Sequence, residues 1–337
     1  MMDNADQAEA EATGRIRLVS CIGVDLELAL LPFFLDHYIE LGIQPEDVHL
    51  IFNASDAASA NLDRADALAR ERRVAVGERW IAPYTSEAMW AERRALQARV
   101  ARPGDWIVNA DVDEFHRYPA PLAKVIEYLR ERRLGALQGV MIDRLAVDGA
   151  LHTVRNGRPL EEQFPVRADV SLSVIGTGET HGVAGTIKLM VHRHDVEPRR
   201  GGHTVLGGEK AAGYAAGARL SVFPHARRPD WRGAYPFQVD HYKWTGTLRT
   251  SLAARLAASG VSVAGREYGG KIDCYLARHG AIRLEDAAVL PPAHGSMPDW
   301  RSTLDAMRRA APFWKARNAV RHHVDGARRR VRKLVAR

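Results

Sequence analysis

The chain has 337 residues, 48 lysines and arginines against 41 acids, and two cysteines, Cys21 and Cys274. That length suits one large domain or two ordinary ones, and two cysteines exclude a disulfide framework or a four-thiolate zinc site, so a cytoplasmic setting is expected. Charge is unevenly placed: residues 308–337 hold eleven bases and one acid, +10, which leaves −3 for residues 1–307 and gives the body no nucleic-acid footprint.

Residues 1–14 carry four acids and no base, the reverse of a signal peptide, and read as disordered. Arg15 to Ile22 predicts a strand, and Leu26 to Leu41 a helix with apolar residues at three- and four-residue steps, ended by Gly42. Its Glu27, Pro32, Asp36, His37 and Glu40 make this most apolar stretch too polar to span a bilayer. Val48 to Phe52 predicts a second strand, residues 57–72 a helix, residues 74–76 a third strand, and residues 86–100 a helix with Ser86 as N-cap. After the turn Arg102-Pro103-Gly104, Asp105 to Ala110 (DWIVNA) predicts a fourth strand, apolar as a buried parallel strand is. Such alternation builds βαβ units, hence an α/β fold with a mostly parallel sheet flanked by helices.

Beyond Pro119 the pattern loosens. A helix is expected over residues 121–133, strand pieces over 136–141 and 186–191, and long substrate-gripping loops up to Val239. Helices return at 246–259 and 299–311, and Phe313 to Ala336 predicts a basic amphipathic helix with Val320, Val324, Val331 and Leu334 on one side. The expected division is a catalytic domain over 15–300 and a basic helical tail over 301–337.

The strongest chemical signal is Asp111-Val112-Asp113-Glu114-Phe115, directly after the fourth strand. In an extended backbone residues i and i+2 share a face, so Asp111 and Asp113 are expected to converge on one cation while Glu114 points away. Ligands of open α/β sheets bind outside the carboxyl ends of the strands, where this cluster falls. Three acids in four residues repel one another, and hard oxygen donors favour Mg²⁺ or Mn²⁺.

DWIVNADVDEF resembles the Asp-x-Asp signature of nucleotide-sugar-dependent glycosyltransferases of the Rossmann-like GT-A fold, in particular the bacterial family 2-like group with Asp-x-Asp-Glu-Phe. The segment Leu31-Pro32-Phe33-Phe34-Leu35-Asp36-His37-Tyr38 with Glu40-Leu41-Gly42 is similar to that group's first helix, and Asn53 to Asp56 to its Asn-x-Ser-x-Asp segment, one residue short. Asp143-Arg144, Gln163-Phe164-Pro165, Lys188, Gly202-His203 and His241-Tyr242-Lys243-Trp244 resemble its later markers, so the likeness spans roughly residues 16–260. Where the group has a basic-Asn-Glu triplet, this chain reads Val24-Asp25-Leu26-Glu27.

The resemblance implies a metal-dependent transfer of a sugar from a nucleotide-sugar donor, uridine-linked, to a glycan or lipid-linked acceptor. It implies donor contacts from Glu27, Asn53 and Asp111, and a metal held by Asp111 and Asp113 with a late histidine, His241, or its rival His203, completing the shell. Lys188, on a strand of a chain with only seven lysines, is a candidate cation for the diphosphate. An inverting transfer also needs a carboxylate base: Asp143 is the first choice, with Asp195 and Glu179 as alternatives. His192 and His194 share a strand face but lack a third ligand, and read as solvated.

Two readings of other classes stand beside this one. A phosphohydrolase of the haloacid dehalogenase type also places Asp-x-Asp after an apolar strand, though on its first strand and without Glu-Phe following. A binding module would act through residues 313–337, whose bases suit an anionic membrane surface at the inner face of the cell, with nucleic acid as the alternative electrostatic partner although none is expected.

Overall fold

Apolar spacing sets the first half of the molecule. The computed structural model describes residues 14–176, 182–207, 220–257, 261, 263–291 and 299–335, with side chains up to residue 319, Ala264 apart. In chain order its elements are β1 Ile16–Gly23, α1 Val24–Glu27, α2 Leu31–Glu40, β2 Val48–Ala54, α3 Ala60–Glu71, β3 Glu78–Ile81, α4 Ser86–Val100, β4 Trp106–Asn109, β5 Glu114–Arg117 and α5 Leu122–Glu131. Then come β6 Ala136–Leu145, α6 Leu160–Gln163, β7 Val166–Asp169, α7 Val170–Ser173, β8 Ile187–Arg193, α8 Pro229–Ala234, β9 Gln238–His241, α9 Leu248–Ala257, α10 Val263–His279, β10 Ala288–Val289 and α11 Trp300–Val335. This is the expected α/β fold, a sheet flanked by helices and followed by a C-terminal helix.

The ten strands form one sheet in the order β10-β7-β6-β8-β4-β1-β2-β3, with β9 joining β6 to β5. Strands β3, β2, β1 and β4 run parallel, as the βαβ alternation requires. From β4 onward the ladder turns antiparallel through β8, β6, β7 and β10, while β9 runs parallel to β6 and antiparallel to β5.

Period-two alternation assigns the faces. Along β1, Leu18 and Ile22 join Phe34, Leu35 and Tyr38 of α2, Leu62 and Ala65 of α3, Val125 and Leu129 of α5, and Leu304 and Met307 of α11 in the main core. Val19 and Cys21 pack on the opposite face against Met89, Trp90 and Leu96 of α4. A third cluster ties Leu248, Leu252, Ile272 and Leu276 of α9 and α10 to Leu145 and Trp244. Each such side chain contributes about 1.5–3 kcal/mol on burial.

Several expectations are corrected. The helix expected over 26–41 is broken by a 3₁₀ turn at Leu28–Leu30, and α2 begins with Pro32 in its first turn, where a missing N–H is harmless. The third strand is not 74–76: Arg73 takes φ 60°, Val74 tucks into the main core, and the more polar Glu78–Ile81 pairs with β2 as an edge strand. The cap of α4 is Thr85, whose Oγ1 accepts from the Ala88 N–H at 3.2 Å. The two helices expected at 299–311 and 313–336 are one, α11, running through Pro312. Among the described residues no helix is long and apolar enough to cross a membrane.

Candidate active site

Strand β9 builds the site by lying between β5 and β6. Its register sets His241 opposite Glu114 on one side and Asp143 on the other, so three polar side chains far apart in sequence stand in one row. Between β4 and β5 the chain makes a tight turn: the Glu114 N–H donates to the Asp111 carbonyl at 2.9 Å, and the Tyr242 N–H holds the Asp113 carbonyl at 2.8 Å. The extended geometry expected for Asp111 to Asp113 is therefore absent, and Glu114 does not point away. Its Oε2 accepts from the Asp111 N–H at 3.1 Å, and its Oε1 lies 2.6 Å from Lys188 Nζ.

The acids are held by built-in cations. Asp111 accepts from Arg93 through Oδ1 and from Lys188 Nζ through Oδ2 at 2.9 Å. Burial alone would raise the Asp111 pKa, but Lys188 and Arg93 outweigh it and hold the carboxyl well below the usual range. Arg93, from α4, also donates to the carbonyls of Val19 and Ala110 at 3.0 Å each and stacks on Trp90 at 4.5 Å. Burial would lower the Lys188 pKa, yet Asp111 and Glu114 raise it, so the ammonium stays charged.

Burial dominates the remaining acids. Burial, with Asp113 and Asp111 nearby, pushes the Glu27 carboxyl up to about 8, and burial pushes Glu114 to about 7 against the pull of Lys188. His241 would be made less basic by burial, but Asp113 and Asp143 raise it to about 9. Asp111 and Asp113 add to the rise at both glutamates, a contribution that a divalent cation beside them would offset.

The donors fit such a cation. Oxygens of Asp113 and Glu114 and a ring nitrogen of His241 lie within 4.8 Å of one another, and Asp113 Oδ2 is 3.4 Å from His241 Nε2. Adjacent donors of an octahedral ion at about 2.1 Å stand roughly 3 Å apart, so this pair needs little movement. The other ring nitrogen of His241, Nδ1, lies 2.9 Å from Asp143 Oδ1. Metal-bound histidines make this contact to a carboxylate, which fixes ring and tautomer. Two carboxylates and an imidazole suit Mn²⁺.

The residues expected at the site fall as follows. Asp111, Asp113, Lys188, His241 and Asp143 gather at the C-terminal ends of the parallel strands, and Glu27, on α1, faces them from the end of β1. Asp143 is 3 % exposed; its Oδ2 accepts from the N–H groups of Val170 and Ser171 at 3.0 and 3.2 Å, so it stands behind His241. Asn53 is buried and donates to the carbonyls of Trp80 and Ala82, pinning the loop after β3. His203 bonds the Ile187 carbonyl at 2.7 Å and is outside the metal group. Asp195 pairs with Arg193 at the start of β4, the opposite end of the strand from the acids, and Glu179 lies outside the described residues. His192 is fully buried rather than solvated, bonded to its neighbour's carbonyl.

Sequence reading missed Arg93, although Met89, Trp90, Arg93, Leu96 and Gln97 share one buried helical face, and an arginine in an apolar stripe is a signal. A cleft of about 540 Å³ opens between α1, α3 and residues 154–156, but its one acid, Asp25, is engaged by Ser59 at 2.5 Å and none of the clustered acids lines it. The clustered acids stand at the strand ends, apart from that cleft.

No family model matches the chain, and no curated protein matches it. Among solved structures it is similar to S. aureus TarS at 8 % identity and TM-score 0.28, over 80 % of this chain and 44 % of that one. Similar likenesses are found to S. aureus TarS 1-349, at 10 % identity and TM-score 0.26 over 80 % of this chain and 76 % of that one. UDP-glucose pyrophosphorylase complexed with UDP-glucose gives 10 % identity and TM-score 0.24, over 79 % of this chain and 100 % of that one. The chain spans less than half the length of the first of these, and likeness at this level assigns neither family nor activity.

Proposed function

We propose that this chain is a metal-dependent glycosyltransferase that moves a sugar from a nucleotide-sugar donor, uridine-linked, to a glycan or lipid-linked acceptor. The observation that carries the reading is the row Glu114, His241 and Asp143 beside Asp113: two carboxylates and an imidazole within 4.8 Å, backed by a buried carboxylate, at the carboxyl ends of parallel strands. With the resemblance of DWIVNADVDEF, this arrangement favours sugar transfer over other metal chemistry.

In this reading Asp113, Glu114 and His241 hold Mn²⁺ or Mg²⁺, which when bound supplies positive charge to the departing diphosphate. Asp143 orients His241 so that Nε2 faces the ion. Asp111 keeps the turn in place through Arg93 and Lys188, and joins the metal shell only where one of those cations lets go. Glu27 faces the donor from the end of β1, and Asn53 acts by holding the β3 loop. The phosphohydrolase alternative places its nucleophilic Asp after its first strand, whereas Asp111 follows the fourth strand, β4, and is followed by Glu114 and Phe115.

The basic end of α11 is the part proposed to touch an anionic membrane. Side chains as far as Asn318, which donates to the Val222 carbonyl at 2.8 Å, pack on the body, so a truncation that tests the tail is placed after residue 318. The direct test of the activity is release of nucleoside diphosphate from a panel of sugar nucleotides with Mn²⁺. Release by wild type that Asp113→Asn abolishes supports transferase chemistry, and no release from any donor, with or without acceptor glycans, refutes it.

A further inference from the structure

Helix α11 runs from Trp300 to Val335, and one of its sides is held on the body. Leu304, Met307 and Ala311 are buried in the main core, Trp314 packs against it, and Asn318 donates to the Val222 carbonyl at 2.8 Å. These five recur at three- and four-residue steps, which is one side of a helix, and the last two fix that side beyond Pro312. On the other side Phe313 is 62 % exposed, and Arg309, Ala316 and Arg317 around it are exposed as well. The Phe313 ring meets that of Trp314 edge-on, with centroids 5.1 Å apart, so the exposed aromatic is braced on a side chain rooted in the core.

Beyond residue 318 the two sides exchange character. Continued at helical spacing, the body side reads Arg321, Asp325, Arg328 and Arg332, while the outer side runs from Phe313 through Val320, Val324, Val331 and Leu334. Val331 stands about five turns past Phe313 at 3.6 residues per turn, hence on the same side. The apolar stripe of the basic segment is therefore the continuation of an exposed face and not of the core. Such a stripe calls for an apolar medium, and the charge beside it decides which. Residues 319–337 hold seven bases and one acid, and Arg309 and Arg317 stand one turn before and after Phe313. Two copies of so basic a helix repel each other, whereas an anionic bilayer supplies both counter-charge and an apolar medium.

We infer that the outer face of α11, from Arg309 to Leu334, is an insertion surface that lies in the headgroup layer of an anionic membrane, with Phe313 and the valines turned into the acyl boundary and the bases on lipid phosphates. The inference rests on the membrane contact proposed for the basic tail and deepens it. Contact by charge alone becomes contact through an apolar face, and that face begins at Phe313, on the part of the helix fixed to the body. It is independent of the reaction at the acid cluster.

The test is co-sedimentation of the full chain with vesicles of phosphatidylcholine, with and without phosphatidylglycerol. Wild type is compared with Phe313→Ser, Val331→Ser, Phe313→Trp and a chain carrying Arg328→Gln, Arg329→Gln and Arg330→Gln together. Wild type should bind only vesicles that contain phosphatidylglycerol. Each serine variant should bind them about tenfold more weakly at an unchanged urea midpoint, the factor for leaving one large apolar side chain in water. Phe313→Trp should bind as wild type does and be quenched more strongly by brominated lipid. Val331→Ser, about five turns along the helix from Phe313, decides the matter if Phe313→Ser disturbs the fold. Serine variants that bind as wild type, while the glutamine chain loses binding, overturn the insertion face and leave the charged tail standing. No binding of wild type to anionic vesicles overturns both. A wild-type dimer that the serine variants turn into monomer, with vesicle binding unchanged, gives the stripe to a second copy and overturns the inference.

Discussion

Asp143→Asn separates two roles for a buried carboxylate. In the wild type Oδ2 receives the Val170 and Ser171 N–H groups and Oδ1 receives His241 Nδ1 at 2.9 Å. Asparagine has one acceptor oxygen, and the two backbone donors claim it. The amide NH₂ then faces His241 Nδ1, which must accept, so the ring proton moves to Nε2 and its lone pair toward Asp113 is lost. Losing such a partner weakens metal binding by about 10- to 100-fold, or roughly 1.4 to 2.7 kcal/mol. The assay is titration of Mn²⁺ followed by the signal of the free ion, alongside a check that the variant unfolds cooperatively in urea. If Asp143→Asn binds Mn²⁺ as tightly as wild type while turnover collapses, the positioning role is refuted and the carboxylate acts on the acceptor instead.

Other consequences are open to measurement. Arg93→Met leaves the carbonyls of Val19 and Ala110 without their donor and Asp111 with one cation, and should lower stability by about 3–5 kcal/mol in urea melts; a loss under 1 kcal/mol would show the network to be incidental. Burial pushes His37 and His192 down to about 4 and His116 well below its ordinary value, so all three are neutral in the fold and take up protons on unfolding below pH 6.5. Stability contributed this way is present above pH 6.5 and is lost as pH falls toward 4, by about 1.4 kcal/mol per unit for each histidine; equal urea midpoints at pH 7.5 and 5 contradict it. A chain ending at Ala319 should keep its melting temperature and lose binding to anionic vesicles, whereas unchanged flotation removes the tail from the account. Gly149→Ala should destabilise, since φ is +67° there and an added Cβ meets the Ile282 carbonyl.

Much of the parallel half was legible because its signals are local. Leu18 and Ile22 alternate with Val19 and Cys21, α4 ends within a residue of its apolar stripe, and the acids follow β4 where a strand end binds ligands. The third strand was misplaced because Val74-Ala75-Val76 is more apolar than Glu78-Arg79-Trp80-Ile81, yet an edge strand needs only one buried side and tolerates charge. The site itself was half legible. Asp111 and Asp113 stand out in the sequence, but pairing β9 with both β5 and β6 depends on contacts between segments about a hundred residues apart, which no local period encodes. That pairing makes Asp143 the support of His241, and it brings Glu114 into the cluster. Arg93 was hidden by the habit of reading arginine as surface.

In the proposed function a divalent ion on Asp113, Glu114 and His241 creates a diphosphate site. The most direct test is the thermal shift produced by UDP with and without Mn²⁺, on wild type and on Asp113→Asn. Wild type should be stabilised only when both are present, by about 2.7 kcal/mol at a hundredfold excess over Kd, and Asp113→Asn not at all. Equal stabilisation by UDP in the presence of a chelator, or none under any condition, contradicts it.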